Sequence, residues 1–389
     1  MNQKKTPILG YFRSSLLGLV PLNAEKARSF LPLDRPGSGP SKEQWITYGQ
    51  YFNWIKAAIS REDFDRLAWA SGLQLKKALA GQDLETILIF SEKHGNLYHP
   101  AKIEVRTLLG KALFVMNVAL SATGNGILGS EFETLHYLGE TFPYPFLPRV
   151  YFLDQVPFPP EVGEGEAGMF LADWFEGYHE FHLSRDPSDG RVKMVLWNGE
   201  DPPPFLTGEE ARQVYYQTAR ILTLYYNVLT YQQIFPWHHG AGDFVIRKGG
   251  PALEVKLISA RQYGAMADPS DLPAEEALLF FYLNLSLRTR LDRLDGVGEV
   301  VWAGENSLEV SLSGFLEALD IKSREEAWPE RFLPEFLRKL RGLSLEALEE
   351  RLAALLESFS PEAPDIPVIK RHFSEHVKDV SRILKEVRI

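Results

Sequence analysis

The chain has 389 residues, of which 45% are hydrophobic, 12% aromatic and 24% charged, a composition typical of a folded globular protein and not of a disordered or fibrous one. Its net charge of -10 gives no basic surface of the kind that binds a phosphate backbone, which argues against a nucleic-acid partner. Cysteine is absent, which excludes disulfides, thiolate catalysis and metal centres held by cysteine. Any chemistry therefore depends on histidine, carboxylate, hydroxyl or backbone groups.

The apolar runs of the sequence are short. None reaches about 18 residues, which argues against a membrane partner. Arg13 interrupts the apolar run near the start, where a signal peptide needs an unbroken one. The sequence therefore favours a cytoplasmic protein.

Residues 1–85 are predicted to form a helical N-terminal segment. After the turn-rich stretch PGSGP, apolar residues recur at helical spacing from Trp45 to Ile59. A second helix is predicted from Glu62 to Ala80, with Gly81 as its stop.

Residues 86–172 are predicted to be rich in β-structure, because the periodicity changes from helical to alternating at about residue 85. Three antiparallel strands are indicated by the runs ETILIFSEKHG, NLYHPAKIEVRT and KALFVMNVALSAT. A helix capped by Ser130 is predicted next, followed by two strands at RVYFLDQV and GMFLADWF. We expect these five strands to form one antiparallel sheet with the helix packed on it.

Residues 173–389 are predicted to be mainly helical and to end in a helical extension. They begin with a hairpin of EFHLSR and RVKMVLW, followed by a long helix from Thr207 to Gln233 that starts with a capping signal. A short hairpin of GDFVIR and LEVKLISA comes next. The remainder is predicted to be helical, with long helices at AEEALLFFYLNLSLRTRLDRL and from Val368 to Val387.

The strip FPWHHGAGDFVI, from Phe235 to Ile246, leaves the long helix and enters the second hairpin. With the order three strands, helix, two strands, long helix, loop and hairpin, it resembles the protein-kinase-like fold, and more closely its aminoglycoside phosphotransferase branch. The match covers roughly residues 86 to 295. The resemblance implies an α+β fold of two lobes, a small antiparallel sheet lobe and a larger helical lobe, here with additional N-terminal helices. It also implies ATP and magnesium as cofactors.

The resemblance gives roles to residues of the loop and hairpin. Asp243 stands at the family's metal-binding asparagine position, and an aspartate there suits a hard cation. His238 stands where the family keeps the aspartate that orients or deprotonates the substrate hydroxyl. Ser259 stands at the family's second metal-binding aspartate. His238 and Asp243 are thus the candidate catalytic residues, Asp243 is the candidate metal ligand, and we expect them to converge with His239 and Ser259 in one cleft.

Asn117 and Glu131 join Ser259 as the candidate cofactor-binding residues. Glu131 stands at the position of the glutamate that the family carries on the helix after the third strand. Its ion-pair partner in the family is a lysine on the third strand, and this sequence has Asn117 near the lysine position. Several charged groups that position phosphates are thus absent or altered, and phosphoryl transfer depends on such groups. The first hypothesis is a pseudokinase that binds a small molecule or a protein. The second is a divergent small-molecule phosphotransferase that uses ATP, in which His238 and Asp243 retain chemistry.

A dinucleotide-binding turn supports a third hypothesis, an oxidoreductase. The segment from Gly124 to Gly129, GNGILG, satisfies G-x-G-x-x-G between a predicted strand and a predicted helix, and Asp154 follows the next strand. Against it, the sequence lacks the alternating strands and helices that build a doubly wound parallel sheet. The simpler interpretation is a flexible glycine-rich connection.

Three histidine pairs raise the question of a metal: His179 with His182, His238 with His239, and His372 with His376. Only the last pair has the i, i+4 spacing of a helical metal site, and no third ligand is evident near it. We interpret that pair as part of a solvated helix, the first pair as surface or hairpin residues, and the middle pair as groups that fix the loop or take part in chemistry.

Overall fold

The computed structural model describes residues 6–15, 18–32, 46–92, 98–160, 162–237, 242–250, 252–304, 306–326 and 328–386. The chain divides into two compact units. The first consists of Met1–Thr141 and Pro148–Glu176, and the second of Phe142–Leu147 and Gly177–Ile389. Helices and strands occur in both units, so the α+β class predicted from the sequence is confirmed.

The first unit is built on a seven-stranded sheet. Its strands are β1 (Ile8–Ser15), β2 (Gly18–Pro21), β3 (Leu84–Ser91), β4 (Ala101–Thr107), β5 (Gly110–Ala119), β6 (Val150–Pro157) and β7 (Glu166–Asp173). Their spatial order is β2-β1-β3-β4-β5-β7-β6. Strand β1 runs parallel to β3, and the other neighbouring pairs of this sheet are antiparallel. The prediction that β3 to β7 form one antiparallel sheet is confirmed.

Helices cover both faces of this sheet. They are α1 (Ala24–Ala27), α2 (Tyr48–Ile59), α3 (Asp65–Leu75) and α4 (Ala122–Thr141). On one face, aromatic and aliphatic residues of α2 and α3, among them Tyr51, Phe52 and Leu67, share a buried core with Phe114 and Met116 of β5. On the other face α4 packs against β5, β6 and β7, as predicted for the helix that follows the third strand. Burial of apolar area on both faces is the main contribution to the stability of this unit.

The prediction that residues 1–85 are helical is wrong for their first part, where β1 and β2 add two strands to the sheet. The register pairs Ile8 with Thr86 and Arg13 with Ser91, so β1 is held by a strand far along the chain. Local periodicity does not encode such a long-range pairing.

The predicted cap at Ser130 is also wrong, because α4 begins at Ala122. The Ser121 hydroxyl accepts a hydrogen bond from the Gly124 amide at 3.0 Å, which satisfies a free donor of the first turn. The Ser130 hydroxyl lies inside the helix and donates to the Gly126 carbonyl at 3.1 Å.

The described residues of the second unit form four antiparallel strand pairs. Its strands are β8 (Glu180–Arg185), β9 (Val192–Trp197), β10 (Gln232–Ile234), β11 (Phe244–Arg247), β12 (Glu254–Leu257), β13 (Tyr263–Ala265), β14 (Leu291–Arg293) and β15 (Val300–Trp302). The pairs are β8 with β9, β10 with β13, β11 with β12, and β14 with β15. Both predicted hairpins, β8 with β9 and β11 with β12, are confirmed.

The second unit also carries most of the helical residues. Its helices are α5 (Gly208–Leu224), α6 (Ala274–Arg288), α7 (Asn306–Glu325), α8 (Phe332–Arg341), α9 (Leu345–Glu357) and α10 (Ile366–Glu386). The capping box predicted at Thr207 is confirmed, since its hydroxyl accepts from the Glu210 amide. The helix ends at Leu224 and not at Gln233: the backbone leaves the helical conformation at Tyr225, which has φ -89° and ψ 0°. Tyr231, with a φ of 58°, would also prevent a helix from continuing to Gln233. Within the described ranges, no helix is long and apolar enough to cross a membrane.

Candidate functional site

The side chain of Gln217 links the hairpin of β11 and β12 to α5. Gln217 of α5 accepts a hydrogen bond from the Val255 amide at 3.2 Å and donates to the Leu253 carbonyl. Beyond the paired strands, the Ile258 amide donates to the Asp243 carbonyl at 2.8 Å. This bond extends the ladder by one step, so Asp243 and Ser259 lie at the same end of the hairpin. The prediction that their side chains converge in one cleft stays a prediction.

Asp243 forms an ion pair with an arginine that the sequence analysis missed. Its carboxylate is almost buried, and Oδ1 lies 3.0 Å from Nη1 of Arg261. The segment that carries Arg261 is held in place, because the Phe235 amide donates to the Gln262 carbonyl and the Tyr263 hydroxyl donates to the Tyr225 carbonyl. The position of Arg261 two residues after Ser259 is the one sequence signal for this contact. The resemblance gave that position no role.

Ser259 brings no charge to this end of the hairpin. Its hydroxyl is buried and has no hydrogen-bond partner among the residues that the structure describes. The same part of the chain contains no group of three histidine, aspartate or glutamate side chains that could hold a metal ion. Because Arg261 already neutralises Asp243 and the Ser259 hydroxyl carries no charge, the described residues do not fit a magnesium ion.

The remaining members of the predicted loop site are His238 and His239. Both lie outside the described residues, so their predicted roles stay predictions.

Asn117 and Glu131 belong to the first unit, on the side of the sheet covered by α4. Asn117 is directly opposite Phe170 in the register, and opposite residues of an antiparallel pair share a face. The Phe170 ring lies 6.0 Å from the ring of Phe132 on α4. Glu131 is 2% exposed and lies in the middle of the buried stripe of that helix.

Strand β5 does carry a lysine, but at its other end. Lys111 lies six residues before Asn117, about 20 Å away along a strand. Its ammonium group is 2.5 Å from the Glu176 carboxylate in an exposed ion pair. Lys111 therefore does not replace the lysine that is missing near Asn117.

The glycine-rich segment does not form a dinucleotide-binding turn, and that interpretation is wrong. Gly124 lies in the first turn of α4, where its amide is already bonded to the Ser121 hydroxyl, and Gly129 lies further inside the helix, where the amide bonds to a helix carbonyl. The segment is therefore helix and not a turn that could cradle a pyrophosphate. Asp154 forms ion pairs with Arg61 at 2.8 Å and Arg66 at 3.2 Å. The strands before and after α4, β5 and β6, both pair antiparallel with β7, whereas such a site requires neighbouring parallel strands.

The last histidine pair is not solvated as predicted. His376 is fully buried, with Nε2 3.2 Å from the Ser286 hydroxyl, and its ring packs edge-on against Trp302. His372 stacks face to face on the same indole, with ring centroids 5.1 Å apart. The pair thus helps to anchor α10.

Two buried histidines should give opposite pH dependences of stability. Burial, aided by the charge of Arg290, lowers the pKa of His376 to about 3 from 6.5. Between these values the unfolded chain binds the extra proton, so the free energy of unfolding falls by about 1.4 kcal/mol per pH unit as pH drops below 6.5. Burial lowers the pKa of His182, but the carboxylates of Asp292 and Glu180 outweigh it, so the net pKa is raised and protonation stabilises the fold.

As pH falls from 6.5 to 5, we therefore expect the free energy of unfolding to decrease less in His376→Asn than in the wild type. In His182→Asn it should decrease more. Urea unfolding at several pH values measures both effects. Identical slopes in the two variants would contradict the assignment.

A comparison with protein-family models gave no match, and a comparison with curated protein sequences gave none either. The kinase-like interpretation therefore rests on the order of elements and on the residues described above.

Proposed function

We propose that this chain is a kinase-like protein with impaired phosphoryl transfer, which acts by binding a small molecule or a protein partner. The order of elements supports the kinase-like part: three antiparallel strands, α4, two strands, a hairpin, α5, a loop, the hairpin of β11 and β12, and helices. The single observation that carries the impairment is the ion pair between Arg261 and Asp243. A cytoplasmic location is part of the same proposal.

The impairment follows from electrostatics. Phosphoryl transfer has little covalent chemistry for the protein to perform and depends on cations that neutralise the phosphates. A magnesium ion at Asp243 would have to displace Arg261, and Ser259 at the same end of the hairpin offers a neutral hydroxyl in place of a carboxylate. Loss of one charge-stabilising group typically costs about 3 kcal/mol in the transition state. Loss of a lysine and a carboxylate together removes most of the acceleration.

Nucleotide binding and turnover test the proposal together. We expect ATP with magnesium to raise the thermal midpoint no more than ATP alone, because a ligand that binds the native state stabilises it and the magnesium site is closed. ATP turnover by purified protein should equal that of Asp243→Ala, a variant that controls for contaminating enzymes. Magnesium-dependent turnover that disappears in this variant would contradict the proposal and favour a divergent phosphotransferase.

A further inference from the structure

A cavity of about 210 Å³ lies in the second unit, between β10, the segment after β13, α6 and α9. Its lining includes Tyr226, Gln233, Met266, Ala277, Phe281 and Leu355. Met266 is 40% exposed, and Ala354 and Ser358 on the same rim are exposed, so the cavity opens to solvent. Its lining residues do not include those of the hairpin site.

Two polar groups in this lining are buried without partners. Tyr226 is 1% exposed and Gln233 is 3% exposed, yet the Tyr226 hydroxyl and the Gln233 Oε1 make no hydrogen bond to any described residue. The other two hydroxyls of the lining are satisfied, since Tyr231 donates to the Leu272 carbonyl and Ser358 to the Leu355 carbonyl. An unsatisfied buried polar group destabilises the fold, and native proteins keep few of them.

The rest of the lining defines the kind of molecule that these two groups would bind. The wall is aromatic and aliphatic, and the ring of Phe281 lies 4.5 Å from the ring of Tyr226. The lining contains no charged side chain, so a charged ligand would lose its hydration without compensation. An apolar cavity of about 150 Å³ holds benzene, and by proportion this one holds roughly eight or nine non-hydrogen atoms.

We propose that this cavity binds a small neutral aromatic molecule that carries a hydroxyl group, of the phenol class. The ring occupies the apolar wall beside Phe281. The ligand hydroxyl donates to Oε1 of Gln233 and accepts from the hydroxyl of Tyr226, and so satisfies two groups that have no partner among the described residues.

A pair of probes of equal size tests this. p-Cresol and p-xylene have the same number of non-hydrogen atoms and differ in one hydroxyl. We expect both to raise the thermal midpoint of the full chain, and p-cresol to bind about tenfold more tightly by calorimetry, because it alone pairs the buried groups. Failure of both probes to bind overturns the proposal, and equal affinities overturn its polar part.

Matched variants locate the binding. Tyr226→Phe should weaken p-cresol binding about tenfold and leave p-xylene binding unchanged. The unliganded variant should be at least as stable as the wild type, because it loses a buried hydroxyl that has no partner among the described residues. Tyr282→Phe is the control, since the Tyr282 hydroxyl is also buried without a hydrogen-bond partner among the described residues, but Tyr282 does not line the cavity. Ala354→Trp, at the exposed rim, should abolish binding of both probes. Equal weakening of p-cresol by Tyr282→Phe, or full binding in Ala354→Trp, would place the ligand elsewhere.

Discussion

Replacing Asp379 by alanine is expected to lower the free energy of unfolding by about 3 to 5 kcal/mol. Oδ2 of Asp379 lies 3.1 Å from Nη1 of Arg290, and the two side chains are 10% and 2% exposed. Arg290 also donates to the Ala303 carbonyl and lies over the ring of Trp302. Removing the carboxylate leaves a guanidinium buried beside an indole and without its nearest countercharge.

Urea unfolding followed by circular dichroism measures this loss. The control is Asp320→Ala, which removes a helix carboxylate paired with Arg324 at 2.5 Å, but at a site where the side chains are 50% and 73% exposed. Exposed pairs of this kind contribute under about 1 kcal/mol. The double variant Arg290→Met with Asp379→Leu should regain most of the lost stability, because it buries no charge. A similar small loss in Asp379→Ala and Asp320→Ala would contradict the argument.

Local signals in the sequence predicted the hairpins and the antiparallel strands. Apolar and polar residues alternate in β3 to β5, and turn-forming residues lie between β8 and β9. These signals act over a few residues, and the elements that they predict are present in the structure. The sequence did not predict that the glycine-rich segment 124–129 is helical, because the contacts that stabilise this part of α4 come from a distant strand. Asn125 donates to the Glu166 carbonyl at 3.0 Å and accepts from the Gly168 amide at 3.1 Å, which ties the first turn of the helix to β7.

Gly168 is needed for this contact, because a Cβ there would lie 2.6 Å from the Asn125 side-chain oxygen. Contacts to β7 thus offset the low helix propensity of the glycines in α4. No pattern within residues 122–129 contains that information.

Buried polar groups were the least predictable part of the site and of the core. The position of Asp243 before an apolar strand marked it as a candidate, but the partner Arg261 depends on the path of the chain after β12. On α10, helical periodicity indicates which face is apolar, but not that His376 and Asp379 at its border are buried. Whether these residues are buried depends on which other segments pack over them, here the segment that carries Trp302. That packing exists only in the folded chain.

The double variant Ser259→Asp with Arg261→Gln is expected to gain a magnesium response that the wild type lacks. Without metal, the change removes the cation beside Asp243 and adds a second carboxylate at the same end of the hairpin. Two carboxylates in one site repel each other, so the variant should lose about 1 to 3 kcal/mol of stability. Magnesium binds carboxylate oxygens, so adding it should restore the lost stability. In a unit of this size, each kcal/mol restored raises the thermal midpoint by about 2 to 4 °C.

Thermal unfolding at increasing magnesium concentration measures this response without requiring any enzyme activity. Arg247→Gln is the matched control, because it removes an arginine from an exposed ion pair with Glu254 on the same hairpin and should produce no magnesium response. Adding Asp243→Ala to the double variant should abolish the response, since one of the two carboxylates is then gone. If the wild type responds to magnesium as strongly as the double variant, Arg261 does not exclude the metal. If the double variant does not respond at all, the side chains at positions 243 and 259 do not converge.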